Sequence, residues 1–265
     1  MNITIIGGGN MGEALVRGLH KTRKVCVCEA DGKRARALKN KYGVAVMDLR
    51  AALKNASVIV FAVKPQDMAG LLVNVKEALR YCEGSKQLFI SIAAGLTTRF
   101  FEKGLGGKKV KVVRAMPNMP ALIGEGVTAL CAGTYAVTKD LVTARDILSG
   151  VGKTMVVGEQ WMDAVTAVSG SGPAYVFLFV EQWINAARAL GFKEAQAKAL
   201  VYATLSGSAR LLEKSAFEAD ELRARVTSKG GTTKAALDVF SQARFDQTMK
   251  KALLAAKKRA QELAK

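Results

Sequence analysis

Histidine is almost missing from this chain: His20 is the only one in 265 residues. Cysteine is scarce as well, at Cys26, Cys28, Cys82 and Cys131. Cys26 and Cys28 alternate with valines, which points both to one face of a single strand, and no second ligand pair stands elsewhere. Neither a disulfide framework nor a metal centre is expected, His20 reads as a surface residue, and a reduced, cytoplasmic compartment fits best. Long apolar runs are lacking too. The stretch Ala174–Val180 stops at Glu181 and Gln182, short of the roughly 20 residues a membrane span requires. The opening Met1-Asn2-Ile3-Thr4 has no basic leader, so no signal peptide is expected.

Acidic residues are outnumbered, 22 against 40 lysines and arginines, for a formal net charge of +18. Such a field draws dinucleotides, acidic substrates or nucleic acid. The last of these has no helix-turn-helix, RNP-like or zinc motif behind it. The densest basic run, Lys250–Lys265, reads as a helix with Leu253, Leu254, Ala256, Ala260 and Leu263 on one stripe and the lysines mostly off it. That is a solvated helix face, and the pattern argues against nucleic acid as a partner.

What is abundant is core material: half of the residues are hydrophobic and 23% are charged. The length suits two domains. Up to about residue 157, short apolar runs (Asn2–Ile6, Lys24–Cys28, Val44–Val46, Ser57–Val63, Gln87–Ala93, Val110–Ala115, Val127–Ala132, Thr154–Val157) alternate largely with helical patterns. This predicts a parallel sheet covered on both faces. Beyond Trp161 strand signals stop, and helices are predicted over Pro173–Leu190, Glu194–Lys214, Ala219–Val226, Thr233–Ser241 and Phe245–Ala264. The expected division is 1–160, an α/β, doubly wound, Rossmann-type domain, and 161–265, an all-helical one.

The strongest motif is Ile6-Gly7-Gly8-Gly9-Asn10-Met11-Gly12, directly after the first strand and opening the first helix. Gly7, Gly9 and Gly12 satisfy G-x-G-x-x-G: the first permits a tight turn, the second lets backbone approach a pyrophosphate, and the third lets helix close on strand. Glu29, 20 residues beyond Gly9, stands where an acidic side chain would bond the adenosine ribose and repel a 2′-phosphate. Lys33, Arg34 and Arg36 follow and could accept that phosphate, so either NADH or NADPH is expected, with a lean to NADH. Ala62-Val63-Lys64-Pro65 and Ala93 end two further strands and should flank the nicotinamide, because ligands of doubly wound sheets lie beyond the carboxyl ends of strands.

Three further segments break their local patterns: Arg114–Pro120, Ser169–Tyr175 and Thr227–Thr233. The second reads as a helix start, with Pro173 at its first position. The third sets two glycines before two threonines at a helix start, a concave set of N–H donors suited to a small carboxylate.

Together, and over essentially the whole chain, these segments resemble pyrroline-5-carboxylate reductase, most specifically at Val168-Ser169-Gly170-Ser171-Gly172-Pro173-Ala174-Tyr175. The resemblance implies reduction of L-1-pyrroline-5-carboxylate to L-proline with NADH or NADPH, and helical domains interlocked into homodimers that often build decamers. It implies that Gly230, Gly231, Thr232 and Thr233 hold the substrate carboxylate, with Thr233 as the proton donor. Lys229 and Met119 depart from the family pattern, the former leaving that loop less rigid but adding a charge. Two rivals remain. One is a related reductase, a hydroxy-acid dehydrogenase or an imine reductase of a different ring; such enzymes generally need a lysine in the helical domain, but Pro173–Leu190 contains none, and Lys198 has no polar partner pattern. A non-catalytic basic binder would rest on the +18 charge alone. The run Tyr175–Val180 is apolar all round, implying burial on more than one side, and the active site is expected between the α/β domain and a helical domain of the same or a partner chain.

Overall fold

The computed structural model describes residues 1–54, 56–81, 87–107 and 109–263. Cys82, Ala264 and Lys265, which enter the sequence reading, lie outside them. The first half forms β1 (Asn2–Ile6), α1 (Asn10–Leu19), β2 (Lys24–Cys28), α2 (Gly32–Tyr42), β3 (Ala45–Val46), α3 (Leu49–Lys54), β4 (Val58–Phe61), α4 (Pro65–Leu79) and β5 (Leu88–Ser91). It continues through α5 (Thr98–Gly104), β6 (Lys111–Met116), β7 (Gly126–Ala132), α6 (Thr138–Leu148) and β8 (Gly152–Val156). The eight strands lie in the order β3-β2-β1-β4-β5-β6-β7-β8.

The order through β6 is that of a doubly wound sheet, with β1 between β2 and β4 at the point where the winding reverses. All four residues of β4 are buried, as a central strand covered on both faces requires. One face packs Ile3, Ile5, Val27, Val60 and Ile90 against Leu15 of α1 and Ile147 of α6. The other packs Ile59, Phe61 and Phe89 against Met68 and Leu72 of α4 and Phe101 of α5. Phe61 stacks on Phe89 and Phe101 with ring centroids 5.9 and 5.6 Å apart.

The sheet is not wholly parallel, contrary to the expectation from alternation. β7 runs antiparallel to β6, pairing Met116 with Ala129. The two strands are joined by a 3₁₀ turn at Met119–Ile123 instead of a helix, and a connection below about a dozen residues cannot make a parallel crossover. β8 then pairs parallel to β7. Asn118 stabilises this return: its side-chain oxygen accepts the Val127 N–H at 2.9 Å. His20 stands partly exposed, edge-on to Tyr42 with centroids 5.2 Å apart.

After β8 come a 3₁₀ turn (Glu159–Trp161), α7 (Met162–Val165) and a π-helical turn (Thr166–Gly170), then α8 (Gly172–Ala189), α9 (Glu194–Lys214), α10 (Ala219–Arg225), α11 (Thr232–Gln242) and α12 (Phe245–Leu263). Ser169–Gly172 is therefore not the fresh helix start read from its glycines. The Ser171 N–H bonds back to the Thr166 carbonyl at 2.8 Å, so the helix passes through in a widened turn. The result is a helical run, Glu159–Ala189, of 31 residues, within which an 18-residue window reaches a mean hydropathy of 1.2, enough by length and composition alone to cross a membrane. The sequence reading found no such segment because it took the apolar stretch as Ala174–Val180, ended by Glu181 and Gln182.

By contacts the chain falls into two compact units, Met1–Pro173 with Ala255–Lys265, and Ala174–Leu254. The first unit thus includes Met162 of α7, packed on Ala129 and Cys131 of β7. Where the secondary structure changes and where the contacts change are different places in the chain. In the second unit the only fully buried side chains among the described residues are Ala197 and Val201 of α9. Phe177, Leu178 and Phe179 are 56%, 58% and 43% exposed.

Candidate active site

The glycine turn lies where the sheet winding reverses. Gly7 donates its N–H to the Cys28 carbonyl at 2.9 Å, while Ala62 donates to the Ile6 carbonyl at 2.8 Å, so the turn extends both ladders of β1. Gly7 adopts φ +101°, and a Cβ there would stand 2.7 Å from the Ala62 carbonyl oxygen. A methyl on Gly12 would collide with the Gly7 carbonyl. Gly9, the N-cap of α1, has nothing within 4 Å of its Cβ position, and no side chain caps the helix. This cradle fits a pyrophosphate: open space over Gly9, and the N–H groups and dipole of a ten-residue helix aimed at it. The acid of the first turn, Glu13, is drawn aside by Lys41 Nζ at 2.8 Å and Tyr42 Oη at 2.9 Å. Those hydrogen bonds, Lys41 first, hold its carboxyl below the ordinary range.

At the end of β2, Glu29 turns back under the glycines: Gly8 donates to Oε2 at 2.6 Å and Asp31 donates to Oε1 at 2.8 Å. Asp31 caps α2, accepting the N–H groups of Lys33 and Arg34 at 2.8 and 3.1 Å. Its carboxyl is lowered chiefly by those backbone bonds. Beyond β4, Ala62 and Val63 are half-buried, Lys64 is exposed, and Pro65 opens α4. Ala93 is buried after β5, donating its N–H to Ser91 Oγ at 3.2 Å. Because Phe61 pairs with Ser91, these two strand ends are neighbours, and β1 with its glycine turn lies on the other side of β4. Gly7–Gly12, Glu29, Ala62–Pro65 and Ala93 thus all stand at the carboxyl end of one sheet.

Gly230, Gly231, Thr232 and Thr233 belong to the second unit. Gly230 adopts φ +74°, where an L side chain is strained. Gly231 is the N-cap of α11 with no side-chain cap, and its N–H reaches the Ser228 carbonyl at 3.1 Å. A methyl on Gly231 would strike Ser228 Oγ. Thr232 is exposed and Thr233 half-buried in the first turn, one residue earlier than the sequence placed the helix. A cavity of about 670 Å³ in the same unit is lined by Arg223, Lys234, Asp238, Ser241 and Phe179. Lys234 is held there by both oxygens of Asp238, at 2.5 and 2.7 Å. Another groove, about 510 Å³ and almost wholly apolar, is lined by Tyr175, Phe179, Leu205, Phe245 and Met249. The Tyr175 hydroxyl is buried with no hydrogen-bond partner among the described residues.

Sequence reasoning missed a polar cluster in the first unit. Arg114, in the middle of β6 and 2% exposed, faces Glu159 at 3.6 Å and Asp163 at 3.5 Å. Glu159 also accepts the N–H and hydroxyl of Thr98, each at 2.7 Å. A lone arginine between Val113 and Ala115 was the available signal, but its partners lie far along the chain.

Comparison with known proteins completes the picture. Residues 159–263 match the family described as pyrroline-5-carboxylate reductase dimerisation, and residues 2–95 match the family described as NADP oxidoreductase, coenzyme F420-dependent. The chain is 38% identical to a pyrroline-5-carboxylate reductase of Mycobacterium tuberculosis over 98% of its own length and 96% of that protein's. A pyrroline-5-carboxylate reductase structure from Coxiella burnetii is similar with a TM-score of 0.91 and 38% identity, covering 100% of this chain and 98% of that one. A Plasmodium falciparum pyrroline carboxylate reductase structure with NADP bound is similar with a TM-score of 0.88 and 30% identity, over 100% and 98%.

Proposed function

The chain belongs to the pyrroline-5-carboxylate reductase family, and from that premise we propose how its residues share the reaction. It reduces L-1-pyrroline-5-carboxylate to L-proline with NADH or NADPH, the final step of proline biosynthesis. When bound, the nicotinamide dinucleotide supplies the hydride. The backbone of Ile6, Gly7, Gly8, Gly9, Asn10, Met11 and Gly12 receives the pyrophosphate, Glu29 lies at the adenosine end, and Ala62, Val63, Lys64, Pro65 and Ala93 border the nicotinamide. The open cradle at Gly9 supports this reading.

Gly230, Gly231, Thr232 and Thr233 hold the substrate carboxylate on the uncapped N–H groups of α11, and Lys229 beside them adds a favourable charge. The Thr233 hydroxyl holds the proton that the ring nitrogen gains. A cyclic imine protonates partly in water, so a weak donor suffices and most of the rate comes from orientation. Residues 1–160 carry the cofactor, and 161–265 carry substrate binding and association.

The exposed apolar face of the helical unit supports a homodimer, built further into a decamer as an additional step. A partner chain, not lipid, covers the apolar run Glu159–Ala189, since all of it falls within the dimerisation match. Cys26, Cys28 and Cys131 are free thiols, which suits the cytoplasm.

The observation that carries the substrate reading is the Gly230–Thr233 cap of α11 within a chain 38% identical, end to end, to a reductase of this substrate. The test is oxidation of NADH and NADPH by purified protein with L-1-pyrroline-5-carboxylate. Turnover dependent on the imine is expected; cofactor binding without turnover would overturn the substrate.

A further inference from the structure

An acidic residue at the end of the second strand of such a sheet ordinarily reads the ribose hydroxyls and disfavours a 2′-phosphate. In this chain the carboxylate has other work. The Glu29 side chain is 7% exposed, and each of its oxygens already accepts a backbone N–H, from Gly8 at 2.6 Å and from Asp31 at 2.8 Å. A Cβ on Gly8 would stand 3.1 Å from Oε2, so the carboxylate forms part of the floor of the glycine turn.

A nearly buried charge needs a counter-ion, and Arg34 provides it loosely. Its Nη1 lies 3.4 Å from Glu29 Oε2 and its Nη2 lies 3.8 Å from Asp31 Oδ2, both long for charge-assisted bonds. The Arg34 side chain is 48% exposed, whereas Asp31 is engaged in capping α2. The helix carrying Arg34 also bears Lys33, Arg36, Lys39 and Lys41, and no acid. A guanidinium held by two long contacts at the solvent edge of the turn can swing to a stronger partner without disturbing the backbone bonds that fix Glu29.

We propose that Glu29 is a positioning residue that anchors the glycine turn for either cofactor, and that Arg34 is the specificity-determining residue, leaving its carboxylate neighbours to take the 2′-phosphate of NADPH. This deepens the reading of the glycine turn as a nicotinamide dinucleotide site and rests on it. Under this arrangement Glu29 gives no reason to favour NADH. Arg34 serves the phosphate when one is present, and Glu29 does not depend on the ribose to be satisfied.

The test is direct binding, without substrate, of NADPH and NADH to the full-length protein by titration calorimetry. Arg34→Ala should weaken NADPH about tenfold or more, the value of charge-assisted bonds to a phosphate, while NADH changes by less than about threefold. Arg34→Lys should recover part of the NADPH loss. Glu29→Gln should weaken both cofactors by similar factors, because its amide group sets a donor against one of the two backbone donors. Should Glu29→Gln not fold, the two Arg34 variants still decide. Equal losses of both cofactors in Arg34→Ala, or no loss, would overturn the proposal, as would tighter NADPH binding by Glu29→Gln. Wild-type protein that binds neither cofactor would instead overturn the reading of the glycine turn itself.

Discussion

The guanidinium of Arg114 lies 3.6 Å from the carboxylate of Glu159 and ties the middle of β6 to the first turn of the helical run. Glu159 also fixes the start of α5 through its two bonds to Thr98. One carboxylate therefore holds three elements that no local pattern connects. Removing it leaves a guanidinium with 3% exposure facing Asp163 alone. Glu159→Ala is expected to cost about 2 to 3 kcal/mol in urea unfolding, towards the low end for a broken buried pair because Glu159 itself is partly exposed. Glu159→Gln, which keeps an acceptor for Thr98, should cost less. A loss below about 1 kcal/mol in the alanine variant would mean that the cluster does not hold these elements together.

Two glycines of the proposed cofactor turn, Gly9 and Gly12, should fail in different ways. A side chain on Gly9 meets nothing within 4 Å, so Gly9→Ala should melt near the wild-type temperature yet bind NADPH poorly, its methyl standing where the phosphates approach. Gly12→Ala drives a methyl into the Gly7 carbonyl and should lose both stability and binding. Calorimetric melting alongside cofactor titration separates the two, and equal melting temperatures would contradict the packing described.

Under the proposed role of its hydroxyl as proton donor to the ring nitrogen, Thr233→Ala should lower kcat about tenfold or more with little change in cofactor affinity. Thr233→Ser should restore most of the rate. Steady-state kinetics with cofactor titration would check this, and unchanged kcat would remove the residue from proton delivery.

Alkaline stability should reflect two thiols. Burial first, and then the Glu159 charge, push Cys131 from 9.0 to about 12, partly offset by Arg114. Burial, with Cys28 nearby, pushes Cys26 from 9.0 to about 11. Both raised values mean that the folded chain prefers the neutral thiol. Their contribution is complete below pH 9.0 and fades as pH climbs towards the folded values of about 11 and 12. Melting temperature followed across that range should fall less steeply in Cys131→Ala than in wild type. Parallel curves would show that this thiol plays no part.

Much of the first half is written locally. The apolar runs that alternate with helical patterns correspond to β1, β2, β4 and β5, because buried parallel strands leave no polar alternation to confuse the reading. Gly7 and Gly12 announce a turn because no other residue satisfies its sterics. What stayed hidden depends on distant partners or on continuity. The direction of β7 follows from a short connection and not from its own residues. Thr98–Gly104 carries a helix of seven residues whose cap is a single threonine, too little for a periodic signal. Ser169–Gly172 looks like a break and is a widened turn. Glu29 was found by its spacing, yet its commitment to Gly8 is a matter of three-dimensional reach.

The scarcity of buried side chains in Ala174–Leu254, where only Ala197 and Val201 are fully enclosed among the described residues, makes concentration a structural variable. A unit with so little interior of its own draws its cohesion from mass action. Its persistence is then set by how often two copies meet, and half-unfolding should shift to higher temperature as the protein is concentrated. Dilution becomes a denaturant for this unit, and the cell's expression level sets how much of the enzyme has a finished shape.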